Sequence, residues 1–232
     1  MGGIGLEMAL ALAEVGAVVY CLDIPTLHSV WLKLPTLEHQ TTGRLEYVSG
    51  DVTDQNGMWA IVESIVEREG RIDICMANAG ILHGGECLAY PAEEFRRVLN
   101  VNLSGVLFTA QAAGWQMARI RIAGSIILTG SMSRSITNPN QPWIAYNTGK
   151  SAELAPKEIR VNSINPGSTL TNMTRSFLDT HPGLEATLSA RNPMGRFAGP
   201  YELRGVVLWL ASDASSFCTG ADIGVDGGKC AW

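Results

Sequence analysis

Tyr146 and Lys150 lie within a stretch that reads Tyr-Asn-Thr-Gly-Lys. In a helix this spacing places the phenol and the ammonium one turn apart on the same face. A phenol ordinarily loses its proton at about pH 10, and a nearby positive charge favours the phenolate and lowers that pKa. Such a tyrosine can exchange a proton with an alcohol or a carbonyl. Ordinary exposed helices carry the same spacing, so the surrounding elements decide whether the pair is catalytic.

The surrounding sequence alternates between short buried strands and helices. Strands are predicted over 17–22, 45–49, 72–77, 125–129 and 160–164. Helices are predicted over 5–15, 55–69, 92–117 and 200–212. This succession implies right-handed crossovers and a parallel sheet covered on both faces. We therefore predict one α/β domain over 1–232, with a single Rossmann-like doubly wound sheet and a substrate lid inserted at about 168–198.

The bulk composition excludes several functional classes. A net charge of −5 provides no basic field for nucleic acid or for anionic membrane surfaces. The 5 cysteines are scattered and form no Cys-x-x-Cys pair, which indicates a reducing compartment and no structural metal. Neither a signal peptide nor a membrane-spanning run is visible. The cytoplasm is the expected location.

A glycine-rich turn, Gly2-Gly3-Ile4-Gly5, opens directly onto the first predicted helix. Such turns let a backbone approach a pyrophosphate and offer it helix N-terminal amides. Asp23 closes the next strand, where a carboxylate can accept hydrogen bonds from a ribose. No strand precedes the glycines, so the first strand of a dinucleotide-binding unit is predicted to be absent. A flexible glycine-rich terminus and a plain strand-end aspartate are the alternative interpretations.

Further motifs follow in a fixed order, and together they resemble the classical short-chain dehydrogenase/reductase family over nearly the whole chain. The motifs are the glycine turn, Asp51-Val52, Asn78-Ala79-Gly80, Asn100-Val101-Asn102, the serine strand 124–133, Tyr146 with Lys150, Asn165-Pro166-Gly167 and Val225-Asp226-Gly227-Gly228. The Ser-Met-Ser sequence and the longer loop after it are similar to the branch of fungal sugar-alcohol dehydrogenases and yeast carbonyl reductases. The resemblance implies an oxidoreductase that interconverts a secondary alcohol and a ketone, acts on a small molecule and forms a homo-oligomer.

The resemblance also implies the catalytic roles. Tyr146 would be the general acid and base, and Lys150 would lower its pKa and hold the nicotinamide ribose. Asn102 would hold a water that connects the lysine to solvent, although a buried amide of this kind can also simply satisfy backbone groups. Ser131 would hydrogen-bond the reacting oxygen. The usual family spacing from Tyr146 picks Ser133 instead, but Ser131 stands at the strand end and is our preferred choice.

The remaining predicted site residues bind the cofactor or the substrate. The cofactor set implied by the resemblance is Gly2, Gly3, Ile4, Gly5, Asp23, Asp51, Val52, Asn78, Ala79, Gly80, Tyr146, Lys150, Pro166, Gly167, Thr169 and Thr171. A carboxylate at position 23 favours NAD(H) over NADP(H), unless Arg44 or Lys33 reaches in to bind a 2′-phosphate. The predicted substrate pocket is flanked by Ser133, His83 and Trp143. Trp143 could equally pack at a subunit contact.

Two features depart from the family pattern. The opening strand is missing, and only 151–158 separates Lys150 from the strand that follows, about ten residues less than family members carry. An incomplete sequence, omitted segments and a natural variant are all compatible with these departures. The alternative function is a family member that binds a nucleotide or small molecule without redox turnover.

Overall fold

The computed structural model describes residues 3–24, 42–85, 87–132 and 155–231. Within those ranges the α-helices are α1 Ile4–Glu14, α2 Gln55–Glu69, α3 Ala92–Leu99, α4 Gly105–Ile120, α5 Asn172–Asp179, α6 Leu184–Ala190 and α7 Arg204–Ala211. The strands are β1 Val18–Asp23, β2 Arg44–Ser49, β3 Ile74–Ala77, β4 Gly124–Thr129, β5 Ile159–Pro166 and β6 Asp222–Val225. Five predicted site residues lie outside the described ranges: Gly2, Ser133, Trp143, Tyr146 and Lys150.

Every strand pairing is parallel, which confirms the predicted α/β class. Within the described residues the strands form two hydrogen-bonded sheets. One sheet has the order β1-β2 and the other has the order β3-β4-β5-β6. No described strand joins β1 to β3. β1 is mostly half-buried and β3 is buried at two of its four residues, whereas β4 and β5 are almost entirely buried.

Helices cover both faces of the larger sheet. Ile126 and Leu128 in β4 point into a cluster with Ala113 and Met117 of α4. Ile127, between them, points to the opposite face and packs among apolar residues of α1 and α7. This alternation is the geometry of a strand that is buried on both sides. The sheet is thus doubly wound, as predicted.

The second apolar cluster also holds the two sheets together. Val19 of β1 and both Ile74 and Met76 of β3 pack against it. Arg204 of α7 adds polar links to α1, because its Nε donates to Glu7 Oε2 at 2.8 Å and its Nη1 to Glu14 Oε1 at 2.8 Å. Side-chain packing therefore joins β1 and β3 where the described strands make no backbone pairing.

Local capping explains where several helices begin and end. Asp54 accepts the amide of Gly57 at 3.1 Å and caps α2, which ends at Gly70 with φ 76°. The single helix predicted over 92–117 is instead divided by a π-turn, Asn100–Ser104. Such turns cannot be recognised from hydrophobic periodicity.

Two absences hold for the described part of the chain. None of its helices is long and apolar enough to cross a membrane. It also contains no group of three or more His, Cys, Asp or Glu side chains that could hold a metal ion.

Candidate active site

Several of the predicted cofactor residues leave the larger sheet at one edge. In parallel strands all carboxyl ends point the same way, so Asn78, Ser131 and Gly167 emerge on the same side of this sheet. Open α/β sheets bind their ligands at this edge. The structure therefore brings together segments that are far apart in the sequence.

The glycine turn packs between two of the other predicted cofactor segments. Gly3 has φ 71° and ψ −144°, a conformation that only glycine adopts readily, and a Cβ added there would lie 3.0 Å from Cβ of Thr171. A Cβ added to Gly5 would lie 2.6 Å from Nδ2 of Asn78. The absence of side chains at both positions allows the amino end of α1 to sit against Thr171 and Asn78.

These contacts fit a dinucleotide. No side chain within the described ranges caps the amino end of α1, so its first amides can point toward an anion, and the helix dipole favours negative charge there. Glu7, in the first turn, would oppose an anion, but Arg204 Nη2 pairs with its carboxylate at 2.7 Å. The pyrophosphate of a nicotinamide dinucleotide would be held by the backbone of Gly3, Ile4 and Gly5.

We expect Gly3→Ala to weaken NADH binding by about tenfold or more. An alanine is strained at this φ by about 1–3 kcal/mol, and its Cβ would press on Thr171. NADH affinity is measured by tryptophan-fluorescence titration, and stability by thermal unfolding. Gly70→Ala is the matched control, because Gly70 has φ 76° but nothing within 4 Å of an added Cβ. Equal losses of NADH affinity in both variants would contradict the assignment of Gly3 to the cofactor site.

Asp23 stands at the end of β1, where its Oδ1 accepts the amide of Ile24 at 2.9 Å. Arg44 is at the other end of the neighbouring strand, because it pairs with Val18 while Ser49 pairs with Asp23. Five residues of strand separate those positions by about 16 Å. Arg44 also pairs with Glu46 at 2.7 Å and with Glu69. The expectation that Arg44 could reach a 2′-phosphate beside Asp23 is therefore wrong, and Lys33 lies outside the described residues.

Asp51 and Val52 follow β2 in a compact turn. Oδ1 of Asp51 accepts both the amide and the hydroxyl of Thr53 at 2.8 Å. Val52 is buried, and its Cγ2 lies 2.6 Å from the position of a Cβ on Gly105, at the start of α4. Val52 thus anchors the turn, while the predicted contact of Asp51 with adenine stays a prediction.

Asn102 lies in the π-turn and clamps the segment after Asn78-Ala79-Gly80. Its Oδ1 accepts the amide of Ile81 at 2.8 Å, and its Nδ2 donates to the carbonyl of Ile81 at 2.9 Å. Both ends of the side-chain amide are therefore used to position a loop. A water held by Asn102 stays a prediction.

Ser131 follows β4, two residues after its end at Thr129. The next residue, Met132, is buried, and its carbonyl lies 3.7 Å from the thiol of Cys230. Asp226 positions Cys230 by accepting its amide at 2.9 Å. Burial opposes the ionisation of Asp226, but its hydrogen bonds with Cys230 and Gly228 outweigh burial and lower its pKa.

The segment with Asp226 also supports the Pro-Gly turn after β5. A Cβ on Gly167 would lie 2.6 Å from Cα of Asp226, and the Gly167 amide donates to Val225 at 3.0 Å. The sequence motif at 225–228 therefore supports both the loop after β4 and the Pro-Gly turn after β5. We did not assign Asp226 or Cys230 to the site from sequence, although the motif itself was the available signal.

The predicted lid begins and ends at a pair of bridged residues. Thr169 forms a parallel bridge with Ala198, and the Leu170 amide donates to the Ala198 carbonyl at 2.9 Å. Helices α5 and α6 lie between these ends. Thr171 caps α5 by accepting the amide of Thr174 at 3.2 Å. The contact of Thr171 with the carboxamide of the nicotinamide stays a prediction. The contacts of Pro166 and Thr169 with the cofactor stay predictions as well.

His83 lies on the loop after Asn78-Ala79-Gly80, beside two side chains that we did not identify from sequence. Its Nδ1 is 3.0 Å from the hydroxyl of Tyr90, and its Nε2 is 4.0 Å from Oε2 of Glu94. No periodicity or motif in the sequence indicates that Tyr90 or Glu94 belongs to the site. The fold of the chain after β3 brings both side chains to His83.

Comparison with known proteins gives consistent matches over the whole chain. A family model described as enoyl-(acyl carrier protein) reductase matches residues 1–229. Sorbose reductase of Schizosaccharomyces pombe is 35% identical, covering 99% of this chain and 92% of the relative. D-arabinitol 2-dehydrogenase of Candida tropicalis is 32% identical, covering 100% of this chain and 90% of the relative.

Solved structures agree with these matches. A short-chain type dehydrogenase/reductase from Mycobacterium marinum has a TM-score of 0.89 at 37% identity, covering 98% of this chain and 91% of the other. An NAD+-bound xylitol dehydrogenase has a TM-score of 0.84 at 30% identity, with coverages of 97% and 94%. A gluconate 5-dehydrogenase from Burkholderia cenocepacia, in complex with NADP and tartrate, has a TM-score of 0.88 at 29% identity, with coverages of 99% and 92%. These matches show that the chain belongs to the classical short-chain dehydrogenase/reductase family of NAD(P)-dependent oxidoreductases, in the branch of the fungal sugar-alcohol dehydrogenases.

Proposed function

We propose that this protein interconverts a small secondary alcohol and a ketone, with NAD(H) as its cofactor. The observation that carries the proposal is the contact of the glycine turn with Thr171 and Asn78 at the sheet edge from which Ser131 emerges. When bound there, the nicotinamide supplies or accepts a hydride.

The protein's own side chains transfer the proton and position the reacting oxygen of the substrate. Tyr146 donates its phenolic proton to the carbonyl oxygen during reduction and takes a proton from the alcohol during oxidation. Ser131 donates a hydrogen bond to the same oxygen and fixes its position. Lys150, four residues after Tyr146 in the sequence, supplies a positive charge that favours the phenolate. The chemistry requires these side chains to meet at the carboxyl edge of β4 and β5.

The preference for NAD(H) rests on Asp23. Its carboxylate can accept hydrogen bonds from an adenosine ribose and would repel a 2′-phosphate. Arg44 supports the same preference because it is held at the far end of β2 by Glu46 and Glu69. The proposed compartment is the cytoplasm.

The proposed assembly is a homo-oligomer. Exposed apolar side chains on α4, Leu107 and Trp115, support an interface because such residues are enriched where surfaces become buried. Trp115 stacks on Trp59 of α2 with ring centroids 5.9 Å apart, so the two helices present one aromatic surface.

The test combines NADH binding with turnover. We expect NADH to saturate the tryptophan fluorescence and to be oxidised when a ketone or ketose is added. Asp23→Ala should weaken NADH binding by about tenfold and reduce the discrimination against NADPH, because charged hydrogen bonds contribute about 1.5–3 kcal/mol. Both cofactors are compared by fluorescence titration and by kcat/KM.

Asp73→Asn is the matched control for Asp23→Ala. Asp73 precedes β3 at the opposite edge of the sheet, where it pairs with Arg71 at 2.5 Å. Its loss should leave both cofactor affinities unchanged. A wild-type protein that binds no NADH, or one that prefers NADPH, would refute the corresponding part of the proposal.

A further inference from the structure

The imidazole of His83 is held in a fixed place by the loop that contains it. The Tyr90 hydroxyl donates to the carbonyl of His83 at 3.1 Å and lies 3.0 Å from its Nδ1. The two rings also meet edge to face, with centroids 5.3 Å apart and an interplanar angle of 85°. Gly85 packs directly on Tyr90, because an added Cβ would lie 2.9 Å from Cδ2 of that ring. His83 is thus presented by a tightly packed loop.

Glu94 faces the other side of the same imidazole. Its Oε2 lies 4.0 Å from Nε2 of His83, which is too long for a hydrogen bond. Arg97 holds the carboxylate by donating to the same oxygen from Nε at 2.9 Å and from Nη2 at 2.6 Å. These hydrogen bonds lower the pKa of Glu94, so it stays an ionised acceptor. Both side chains are 32% exposed, which leaves them accessible to a small molecule.

One hydroxyl group fits the interval between these two side chains. An oxygen about 2.8 Å from each atom can bridge a pair that is 4.0 Å apart. We assign the proton of the imidazole to Nε2. Nδ1 is then an acceptor that shares the Tyr90 hydroxyl proton with the carbonyl of His83, and the carboxylate of Glu94 attracts the N–H at Nε2. The bridging group must then accept from His83 and donate to Glu94. An alcohol or water can do both, whereas a ketone or an ether can only accept.

The pair lies next to the catalytic edge of the sheet. His83 follows β3 by six residues, and Asn102 fixes the intervening loop through Ile81. β3 and β4 are neighbours in the same sheet, with Ala77 opposite Leu128, so the segments containing His83 and Ser131 leave the sheet side by side. A molecule that reacts beside Ser131 can therefore extend toward His83.

We propose that His83 and Glu94 form a subsite that binds one hydroxyl of a polyhydroxylated substrate, away from its reacting carbon. This assignment rests on the proposed function and names its substrate class as polyols and the corresponding ketoses. An apolar ketone cannot form both of these hydrogen bonds, and sites built to bind a hydroxyl reject analogues that lack it.

The test measures KM and kcat for xylitol oxidation with NAD+. We expect His83→Phe and Glu94→Gln each to raise KM by about tenfold and to leave kcat within about twofold, because a hydroxyl remote from the chemistry contributes uniform binding. Phe at position 83 can keep the edge contact with Tyr90. His83→Gln, which restores an N–H donor, should recover part of the lost affinity.

Glu93→Gln is the control, since Glu93 is the exposed neighbour of Glu94 on α3. An unchanged KM in His83→Phe, or an equal rise in Glu93→Gln, would overturn the proposal. If the wild type oxidises no alcohol, the proposed function fails, and the subsite is tested by xylitol binding in saturation-transfer NMR. A tenfold weaker Kd in His83→Phe would then still support the subsite. Equal Kd values, or no binding by the wild type, would refute it.

Discussion

We expect Tyr146→Phe to lower kcat by about 10²–10⁴-fold. The substitution removes one hydroxyl and keeps the ring, so the loss measures proton transfer and not packing. NADH affinity should fall much less than kcat, because phenylalanine removes one cofactor contact but leaves Lys150 and the glycine turn in place. Steady-state reduction of a ketose, followed by the loss of NADH absorbance, gives kcat, and fluorescence titration gives the NADH affinity.

Tyr20→Phe is the control for this substitution, because it also removes one phenolic hydroxyl but does so in β1, away from the proposed catalytic residues. The Tyr20 hydroxyl donates to Glu69 of α2, and Tyr20 belongs to β1 in the smaller sheet. Its loss should affect thermal stability without changing kcat. If Tyr146→Phe keeps more than about a tenth of the wild-type kcat, Tyr146 is not the proton donor.

The fold was predictable from sequence wherever strands are buried on both sides. β4 contains the apolar run Ile-Ile-Leu, whereas β5 has isoleucine and valine separated by polar residues, and both strands appeared in the predictions. β6 was missed because it has only four residues, Asp222–Val225, and one of them is a glycine. The division into two sheets could not be predicted, since strand pairing depends on which edges meet in three dimensions and not on periodicity along the chain.

The site was predictable as a set of motifs but not as a set of contacts. The order of the motifs placed Gly3, Asn78 and Thr171 in the predicted site, yet only the structure shows that Gly3 packs on Thr171. Asn102 was assigned to a water, and its amide is found bonded to the backbone of Ile81. Sequence spacing cannot predict such bonds, because they join residues from different loops.

Our preference for Ser131 over Ser133 is supported by the way in which the end of β4 is anchored. Gly130 donates its amide to Ile164 at 2.8 Å, so the chain is still held against β5 one residue before Ser131. Met132 is buried immediately afterwards. A serine between two anchored residues has little freedom, and catalytic hydrogen-bond donors need this kind of preorganisation.

We therefore expect Ser131→Ala to lower kcat by about 10²–10³-fold, the effect of removing one donor to a developing oxyanion. Ser133→Ala is the matched variant, and it should raise KM by up to about tenfold while keeping kcat, because a pocket hydroxyl contributes uniform binding. Both constants come from the same steady-state assay, and NADH titration of each variant checks that the cofactor still binds. The opposite pattern, with kcat lost in Ser133→Ala and kept in Ser131→Ala, would transfer the catalytic role to Ser133. Equal losses of kcat would mean that both hydroxyls contact the reacting oxygen.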